Sequence, residues 1–395
     1  MEKRNILTCS LMILGLIALV LLPADPASEA FENRAMQQRP VAGERFFYEL
    51  EHYLLDNVFA RTHFLQFQSV VNTGFGFATA GPSMIYFGAD DLGYGLIPMV
   101  DGVGLDALTR TGRVPFGRDE RFHDHAVFFL RYIEDRELST RYAQVLNAFA
   151  EQAPESVRMF SLIAPVKVAF MGERYAAANS PQIETIAWVN SLLNERITPV
   201  DAYHALRGAD DDAYLFFRTD HHWTAHGAWY AYQAFAQVAG FAPLSLEAYV
   251  EHVIDGFIGS LAVGTQNATV LAHPDSIYMY ELTDGTTFSI PLHQAPEDLA
   301  QADYRVFLGG DHPRIEITSS NTNGQTLVVV KDSFANPLIV WLAPHYEQVI
   351  VIDPRQYTGS VLAILNEHPT ADLLFVNYIP ATTMSVLIEQ IYDVR

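Results

Sequence analysis

A single cysteine, Cys9, occurs among the 395 residues of the chain, and it lies in the amino-terminal segment. The remainder therefore has no disulfide, no zinc site built on cysteine and no thiol nucleophile. Basic residues are also scarce, since 24 Lys and Arg stand against 46 Asp and Glu, for a net charge of −22. This balance argues against nucleic acid as a partner, because phosphate binding needs clustered Lys and Arg. It also argues against docking on an anionic membrane surface.

Hydrophobic residues make up 50% of the chain and aromatic residues 12%. A sizeable buried core is therefore expected, and extended disorder is not. The length suffices for one large domain or two ordinary ones. The sequence shows no internal repeat and no low-complexity tract.

The amino terminus has the pattern of an export segment. Lys3 and Arg4 precede Ile6–Leu22, a run without any charge, and a stretch of small residues follows it. This pattern is typical of a signal peptide or an uncleaved signal anchor within residues 1–30, and we favour the anchor, with its positive end inside. Residues 31–395 are then expected outside the cytoplasm, held to the membrane by the amino-terminal helix or secreted if the signal is cleaved.

The carboxyl-terminal part alternates between strand and helix patterns. Strands are predicted at Thr326–Val330, Gln348–Ile352 and Leu373–Val376, and helices at Ala335–Leu342, Val361–Glu367 and Met384–Tyr392. This alternation predicts an α/β fold with a parallel sheet flanked by helices.

Earlier segments add further elements to this expectation. Val157–Ala164 predicts another buried strand, and Arg121–Ala150 predicts one long amphipathic helix or two. Residues 243–310 carry turn residues and short strand-like pieces. They are expected to form an irregular or β-rich insertion or cap.

The string Asp220-His221-His222-Trp223 is the first candidate for chemistry. An aspartate two residues before a histidine can orient the imidazole, which then accepts a proton from a hydroxyl. Thr224 is a plausible N-cap for the alanine-rich helix that follows.

Ser333 is the candidate partner hydroxyl. It follows a predicted strand and precedes a predicted helix, where its hydroxyl would be exposed and nearby N–H groups would point at a developing oxyanion. The alternative is that Ser333 only caps the helix. Since the chain has no Gly-x-Ser-x-Gly motif around this serine, the usual α/β-hydrolase fold is not supported.

Three motifs in this order, Asp220–Trp223, Lys331–Asn336 and Ile352–Tyr357, resemble the DHHW family of exported bacterial proteins. That family is similar to the SGNH-hydrolase-like domain of the alginate O-acetylation proteins. The resemblance covers roughly residues 40–395 and implies an SGNH-hydrolase-like domain over residues 31–395. It also implies a triad of Asp220, His222 and Ser333. Lys331 stands where the hydrolases have glycine, so the local turn is a departure from their pattern.

Three further residues are candidates for oxyanion or substrate binding. Arg355 is placed to stabilise an oxyanion or bind a sugar carboxylate, with an ion pair to Asp353 as the alternative. Asn377 ends the last predicted strand, where the resemblance implies an oxyanion donor; a turn amide is the alternative. Lys167 resembles a family position at the end of the first strand, and a structural role is its alternative.

Several histidine-based sites compete with the triad. His222 and His226 are four residues apart, as in some zinc enzymes, but the glutamate of His-Glu-x-x-His is missing and no third ligand is obvious. Manganese phosphoesterases with Asp-His-His need additional aspartate motifs that are absent here. Asp-His-His-Cys acyltransferases need a cysteine where Trp223 stands. We therefore expect no metal and no other cofactor, with His221 and His226 left without an assigned role.

These observations predict an extracytoplasmic, serine-dependent acyl ester transferase or esterase. The resemblance implies a cell-envelope polysaccharide, or another acyl acceptor, as its partner. A transferase would also need an acyl-donor protein in the membrane. The alternative is a non-catalytic glycan-binding or assembly protein with the same fold.

Overall fold

The computed structural model describes residues 83–85, 128–130, 132–170, 179–210, 213–265, 274–294 and 303–395. The predicted signal or anchor in residues 1–30 lies outside these ranges. Within them, no helix combines the length and the apolar composition that crossing a bilayer requires. Apart from the last four residues of one short helix, the described residues belong to a compact unit made of Gly81–Leu261 and His273–Arg395.

Ten strands lie in the described ranges. Strands β1 and β2 form a parallel pair, β5 and β6 form an antiparallel hairpin, and the other six form one central sheet. The bounds are β1 Ser83–Ile85, β2 Phe128–Leu130, β3 Arg158–Ala164, β4 Ile197–Val200, β5 Tyr249–Phe257, β6 Asp275–Leu282, β7 Arg314–Thr318, β8 Thr326–Lys331, β9 Gln348–Ile352 and β10 Asp372–Tyr378.

Eight α-helices are described in the same ranges. Their bounds are α1 Arg136–Ala150, α2 Gln182–Leu192, α3 Ala202–Arg207, α4 Ala225–Ala239, α5 Ser260–Thr265, α6 Ala335–Leu342, α7 Val361–Glu367 and α8 Ser385–Asp393. Helix α1 contacts α2 and α8, while α4 contacts α3 and α6.

The central sheet is mostly parallel, in the order β4-β3-β10-β8-β9-β7, and only β7 is antiparallel to its neighbour. Nearly every residue of β8 and β10 is buried, which requires cover on both faces of the sheet. The prediction of a mixed α/β fold with a parallel sheet and flanking helices is confirmed. The sequence could anticipate it because buried parallel strands are short, continuous apolar runs.

The order of the strands determines where a site can form. The chain passes from β3 to β4 on one side and from β8 to β9 on the other, and β10 returns between β3 and β8. Ligand sites in open α/β sheets lie at the carboxyl ends of strands around such a reversal. Those ends carry Ala164, Lys331 and Tyr378.

One predicted helix is wrong over part of its length. The described residues of Arg121–Ala150 include strand β2, and helix α1 begins only at Arg136. The side chain of Asp135 caps α1, because it accepts hydrogen bonds from the backbone N–H groups of Glu137 and Leu138, both at 3.0 Å. This N-cap defines the helix start more sharply than hydrophobic spacing does.

Residues 243–310 contain the β5–β6 hairpin, with a register shift between Asp255 and Phe257. Gly256, between them, has φ +91, a left-handed conformation that favours glycine. The expected short strands are therefore present. The description of this region as an insertion or cap stays a prediction.

Helix α4 begins as predicted, since the Thr224 side chain accepts a hydrogen bond from Gly227 N at 3.0 Å. The first turn also packs on the backbone of Leu215, because Thr224 N donates to Leu215 O at 2.9 Å. A Cβ on Gly227 would lie 2.2 Å from that same carbonyl oxygen. Glycine is therefore needed where this helix docks.

We expect Gly227→Ala to destabilise the protein. The clash of the new methyl group with the backbone costs about 1–3 kcal/mol in stability. Alanine in place of glycine gains about 1 kcal/mol within a helix. The cost therefore equals or exceeds the gain. Urea denaturation followed by circular dichroism measures the net change. Gln237→Ala, at an exposed position of the same helix, is the control and should stay within about 0.5 kcal/mol of wild type. A Gly227→Ala protein more stable than wild type would contradict the steric argument.

Candidate active site

Three residues predicted from sequence are brought together at the carboxyl edge of the sheet. His222 Nε2 lies 2.7 Å from Ser333 Oγ. His222 Nδ1 lies 2.5 Å from Asp220 Oδ1. Asp220 and His222 are buried, whereas Ser333 is partly exposed. The arrangement has the geometry of a nucleophile, a base and an orienting acid.

The loop that carries Asp220 and His222 is closed at its base. Phe216 and Trp223 form an isolated antiparallel bridge, and Phe217 N donates to His222 O at 3.3 Å. Trp223 is fully buried, and its indole Nε1 donates to the carbonyl oxygen of Phe334 at 2.7 Å. Trp223 thus holds this loop against the turn that follows β8.

The turn around Ser333 is fixed by the residue before it. The carboxylate of buried Asp332 accepts hydrogen bonds from Phe334 N at 2.9 Å and Tyr378 N at 2.8 Å. Burial raises the pKa of Asp332, while the charge of Arg355 opposes this rise. The Asp332 side chain therefore connects the turn after β8 to the end of β10 through hydrogen bonds.

Ser333 does not cap helix α6. The helix has no side-chain cap hydrogen bond, and the Ser333 hydroxyl faces His222 instead. In the described part of the chain, the backbone N–H of Ser333 makes no hydrogen bond. That N–H is therefore available beside the hydroxyl, where an oxyanion would need a donor.

The protonation states follow from the hydrogen bonds of Asp220. Its carboxylate accepts from His222 N and Nδ1 through Oδ1, and from Ser260 N and Oγ through Oδ2. Burial alone would raise the pKa of Asp220, but His222 and its two hydrogen bonds to the carboxylate hold it well below its usual range. An ionised Asp220 keeps the proton of His222 on Nδ1. Nε2 is then the acceptor that faces Ser333.

Lys167 is placed behind this loop and not in an open site. It is 1% exposed, and its ammonium group donates to the carbonyl oxygens of Phe217 and of Asp220, the latter at 2.6 Å. Burial lowers the pKa of Lys167 to about 7, although Asp275 and Asp220 oppose this shift. The geometry favours the structural alternative, in which Lys167 supports the backbone of the loop.

Arg355 and Lys331 belong to one ionic cluster with two carboxylates. Arg355 Nε donates to Asp353 Oδ1 at 2.8 Å, and its Nη2 donates to Asp311 Oδ2 at 2.7 Å. The Lys331 ammonium group, which is fully buried, pairs with Asp311 and with Asp353. Lys331 stands in the place of the hydrolase glycine. Its side chain points into this cluster and therefore does not obstruct the turn around Ser333. Arg355 has the ion pair with Asp353 that was the alternative to substrate binding.

Asn377 is fully buried in the sheet. Its Oδ1 accepts from the hydroxyl of Tyr142 at 2.9 Å, and its Nδ2 donates to Asp332 Oδ2 at 3.4 Å. Both ends of the amide are engaged, so the placement favours a structural role beneath Asp332. The oxyanion role of Asn377 stays a prediction.

Among the described residues, one group of side chains could hold a metal ion. Asp220, His221 and His222 form a group of three possible ligands, and His226 is not part of it. His226 instead stacks against Tyr230 with 5.4 Å between ring centroids. A metal ion in this group would have to displace the hydrogen bonds that Asp220 already makes. The arrangement suits proton transfer better than metal binding.

Two supporting residues were missed from sequence. Ser260 binds Asp220, as described above. Tyr304 lies flat on the imidazole of His222, with 3.8 Å between centroids and 9° between planes, and its hydroxyl donates to Ser333 O at 3.1 Å. Neither residue sits in a motif, and both come from the region 243–310. A lone serine or tyrosine there carries no local signal of a site.

The chain is similar to several known proteins. The DHHW protein family matches residues 82–352. A DHHW family protein from Eubacterium siraeum DSM 15702 is 26% identical, with a TM-score of 0.61 over 66% of this chain and 90% of that chain. No curated protein matches the sequence.

Two more distant structures are also similar. Bacillus cereus PatB1, solved with a sulfonyl adduct, is 18% identical, with a TM-score of 0.54 over 65% of this chain and 93% of that chain. The O-acetyltransferase domain of Pseudomonas putida AlgJ is 15% identical, with a TM-score of 0.38 over 66% and 90%. At these identities, PatB1 shows a common fold alone, and the likeness to AlgJ is too low to carry an argument.

We expect Asp311→Asn to lower stability in a pH-dependent manner. Burial would raise the pKa of Asp311, but Lys331 and Arg355 hold it below its usual range. A depressed pKa contributes stability above the unfolded value of about 4 and loses it as the pH falls through the folded value. Asp311→Asn should cost about 2–4 kcal/mol at pH 7, and this difference from wild type should shrink below about pH 4.

Chemical denaturation at several pH values measures this difference. Glu316→Gln, which breaks an exposed pair with Arg314, is the control and should change stability by less than about 1 kcal/mol at any pH. A difference between Asp311→Asn and wild type that stays constant from pH 7 to pH 3 would count against the ionic cluster.

Proposed function

The chain belongs to the DHHW family, and from this premise we propose that it is a serine-dependent acyl ester transferase or esterase. We assign its fold to the SGNH-hydrolase-like class and its site to the extracytoplasmic side of the membrane. The observation that carries the proposal is the pair of distances at His222, 2.7 Å to Ser333 Oγ and 2.5 Å to Asp220 Oδ1. Together they connect a partly exposed hydroxyl to a buried carboxylate through one imidazole.

The first half of the reaction forms an acyl-enzyme. Ser333 Oγ attacks the carbonyl carbon of an acyl ester while His222 Nε2 takes the hydroxyl proton. The oxyanion of the tetrahedral intermediate accepts a hydrogen bond from the backbone N–H of Ser333. His222 then gives its proton to the departing alcohol, and Asp220 stabilises the imidazolium between these steps.

The second half depends on the attacking group. Water attack on the acyl-enzyme gives hydrolysis, whereas attack by an acceptor hydroxyl gives transfer, and both use His222 in the reverse order. The chemistry requires no metal and no cofactor. The resemblance of the motifs to the alginate O-acetylation proteins suggests an acetyl group and a cell-envelope polysaccharide. A transferase would receive the acyl group from a membrane protein, close to the proposed amino-terminal anchor.

The sulfonyl adduct in the PatB1 structure suggests a chemical probe for this chain. PatB1 has been solved with a sulfonyl adduct, and sulfonyl groups bond to activated nucleophiles. In this chain, the partly exposed group that is held by a general base is the hydroxyl of Ser333.

We expect turnover of an acetyl ester of a chromogenic phenol by the full-length chain. Ser333→Ala and His222→Ala should each lower kcat by about 10³-fold or more, because the proposed nucleophile and base act together and neither works alone. Ser191→Ala, which removes an exposed hydroxyl on α2, is the matched control and should leave turnover unchanged. Release of the coloured phenol gives the rate directly.

Equal turnover by wild type, Ser333→Ala and His222→Ala would contradict the catalytic assignment.

A small sulfonyl fluoride gives a second measurement that needs no substrate. We expect intact-mass spectrometry to show one adduct on wild type and none on Ser333→Ala. A protein that neither turns over the ester nor takes the label would point to the non-catalytic alternative, glycan binding or assembly.

A further inference from the structure

The imidazole of His222 is held on both faces. The ring of Tyr304 stacks on it at 3.8 Å between centroids, and the ring of His221 lies 3.7 Å away with a tilt of 37°. Two rings so close to the same imidazole must occupy opposite faces of it. His222 is therefore restrained against rotation out of the line between Asp220 and Ser333.

The second oxygen of Asp220 is held as firmly as the first. Ser260 N donates to Asp220 Oδ2 at 2.8 Å, and Ser260 Oγ donates to the same oxygen at 2.9 Å. The residue before Ser260 allows this approach, because a Cβ on Gly259 would lie 2.3 Å from Asp220 Cβ. Asp220 Oδ1 is then left to His222.

His221 contacts Ser260 as well as the His222 ring. Its Nδ1 lies 3.1 Å from Ser260 Oγ. Because the Ser260 hydroxyl donates its proton to Asp220, it can only accept from His221, which places the His221 proton on Nδ1. Burial lowers the pKa of His221 to about 3. His221 is therefore a neutral donor and does not compete with His222 for the proton of Ser333.

We propose that His221 and Ser260 are positioning residues for the general base. Ser260 holds Asp220 so that Oδ1 faces His222, and His221 supports both Ser260 and the His222 ring. The inference rests on the proposed function of Ser333. It gives the first histidine of Asp-His-His-Trp a role that differs from that of the second. It also makes the Gly259-Ser260 segment, which follows the β5 strand, part of the site.

A misaligned base should slow the chemical step without weakening substrate binding. Displacement of a reacting group by about 1 Å costs about 100-fold in rate. We therefore expect Ser260→Ala to lower kcat on the chromogenic ester by about 10- to 100-fold, with KM close to wild type. The rate at which a sulfonyl fluoride labels Ser333 should fall by a similar factor. Ser260→Thr, which keeps the hydroxyl, should restore part of both rates.

Two substitutions at His221 separate its contributions. His221→Phe keeps a ring against His222 but removes the hydrogen bond to Ser260, whereas His221→Asn keeps a donor near Nδ1 but removes the ring. Each should lower kcat and the labelling rate less than Ser260→Ala does. Thermal unfolding of every variant distinguishes a folded, misaligned site from a protein that has not folded.

The outcomes distinguish the two proposals. Suppose that wild type turns over the ester and is labelled, and that kcat and the labelling rate are the same in Ser260→Ala, His221→Phe and His221→Asn. That result would overturn the positioning role and leave the proposed function intact.

If wild type shows neither turnover nor labelling, the proposed function fails. The far-downfield proton resonance of His222 Nδ1–H, which needs no catalysis, then tests the positioning alone. Loss of that resonance in folded Ser260→Ala supports the inference, and its persistence at the same shift overturns it.

Discussion

The hydrogen bond from the indole Nε1 of Trp223 to the carbonyl oxygen of Phe334 joins segments that lie 111 positions apart in the sequence. Each partner directly follows a residue of the proposed triad, His222 in one segment and Ser333 in the other. Because both groups are buried, leaving either unpaired would cost about 1–3 kcal/mol. The bond therefore holds the segment of His222 beside that of Ser333, where their side chains lie 2.7 Å apart.

The region 243–310 is structurally part of the site. The carboxylate of Asp275, at the start of β6, accepts hydrogen bonds from Arg218 N at 3.0 Å and Thr219 N at 2.7 Å. Ser260 follows β5, and Tyr304 lies beyond the hairpin. Three separate points of this region thus contact the loop of Asp220 and His222. A segment with so many directed bonds to a buried loop contributes rigidity, which the proposed triad would need more than the rest of the fold does.

The sequence predicted the elements whose physical cause is local. Buried strands such as β8 and the capped start of α4 are readable because an apolar run or an N-cap lies within a few residues. The proximity of Asp220, His222 and Ser333 could also be anticipated, through motifs that resemble a family. What could not be anticipated depends on distant partners. Arg355 is drawn into an ionic cluster by Asp311, which lies 44 positions earlier in the sequence. Lys167 is held by the carbonyl oxygen of Asp220, which lies 53 positions later. The same holds for Ser260 and Tyr304, whose neighbours become apparent only in three dimensions.

The burial of Lys167 and Lys331 has a further consequence. Apart from Lys3, these are the only lysines in the sequence, and both amines are enclosed and bonded to oxygen atoms. If Ser333 forms the proposed acyl-enzyme, an exposed lysine amine beside it would compete with the acceptor as a nucleophile. In the part of the chain that the structure describes, no lysine amine is open to such self-modification. A protein that carries a reactive ester would thereby avoid losing acyl groups to its own surface.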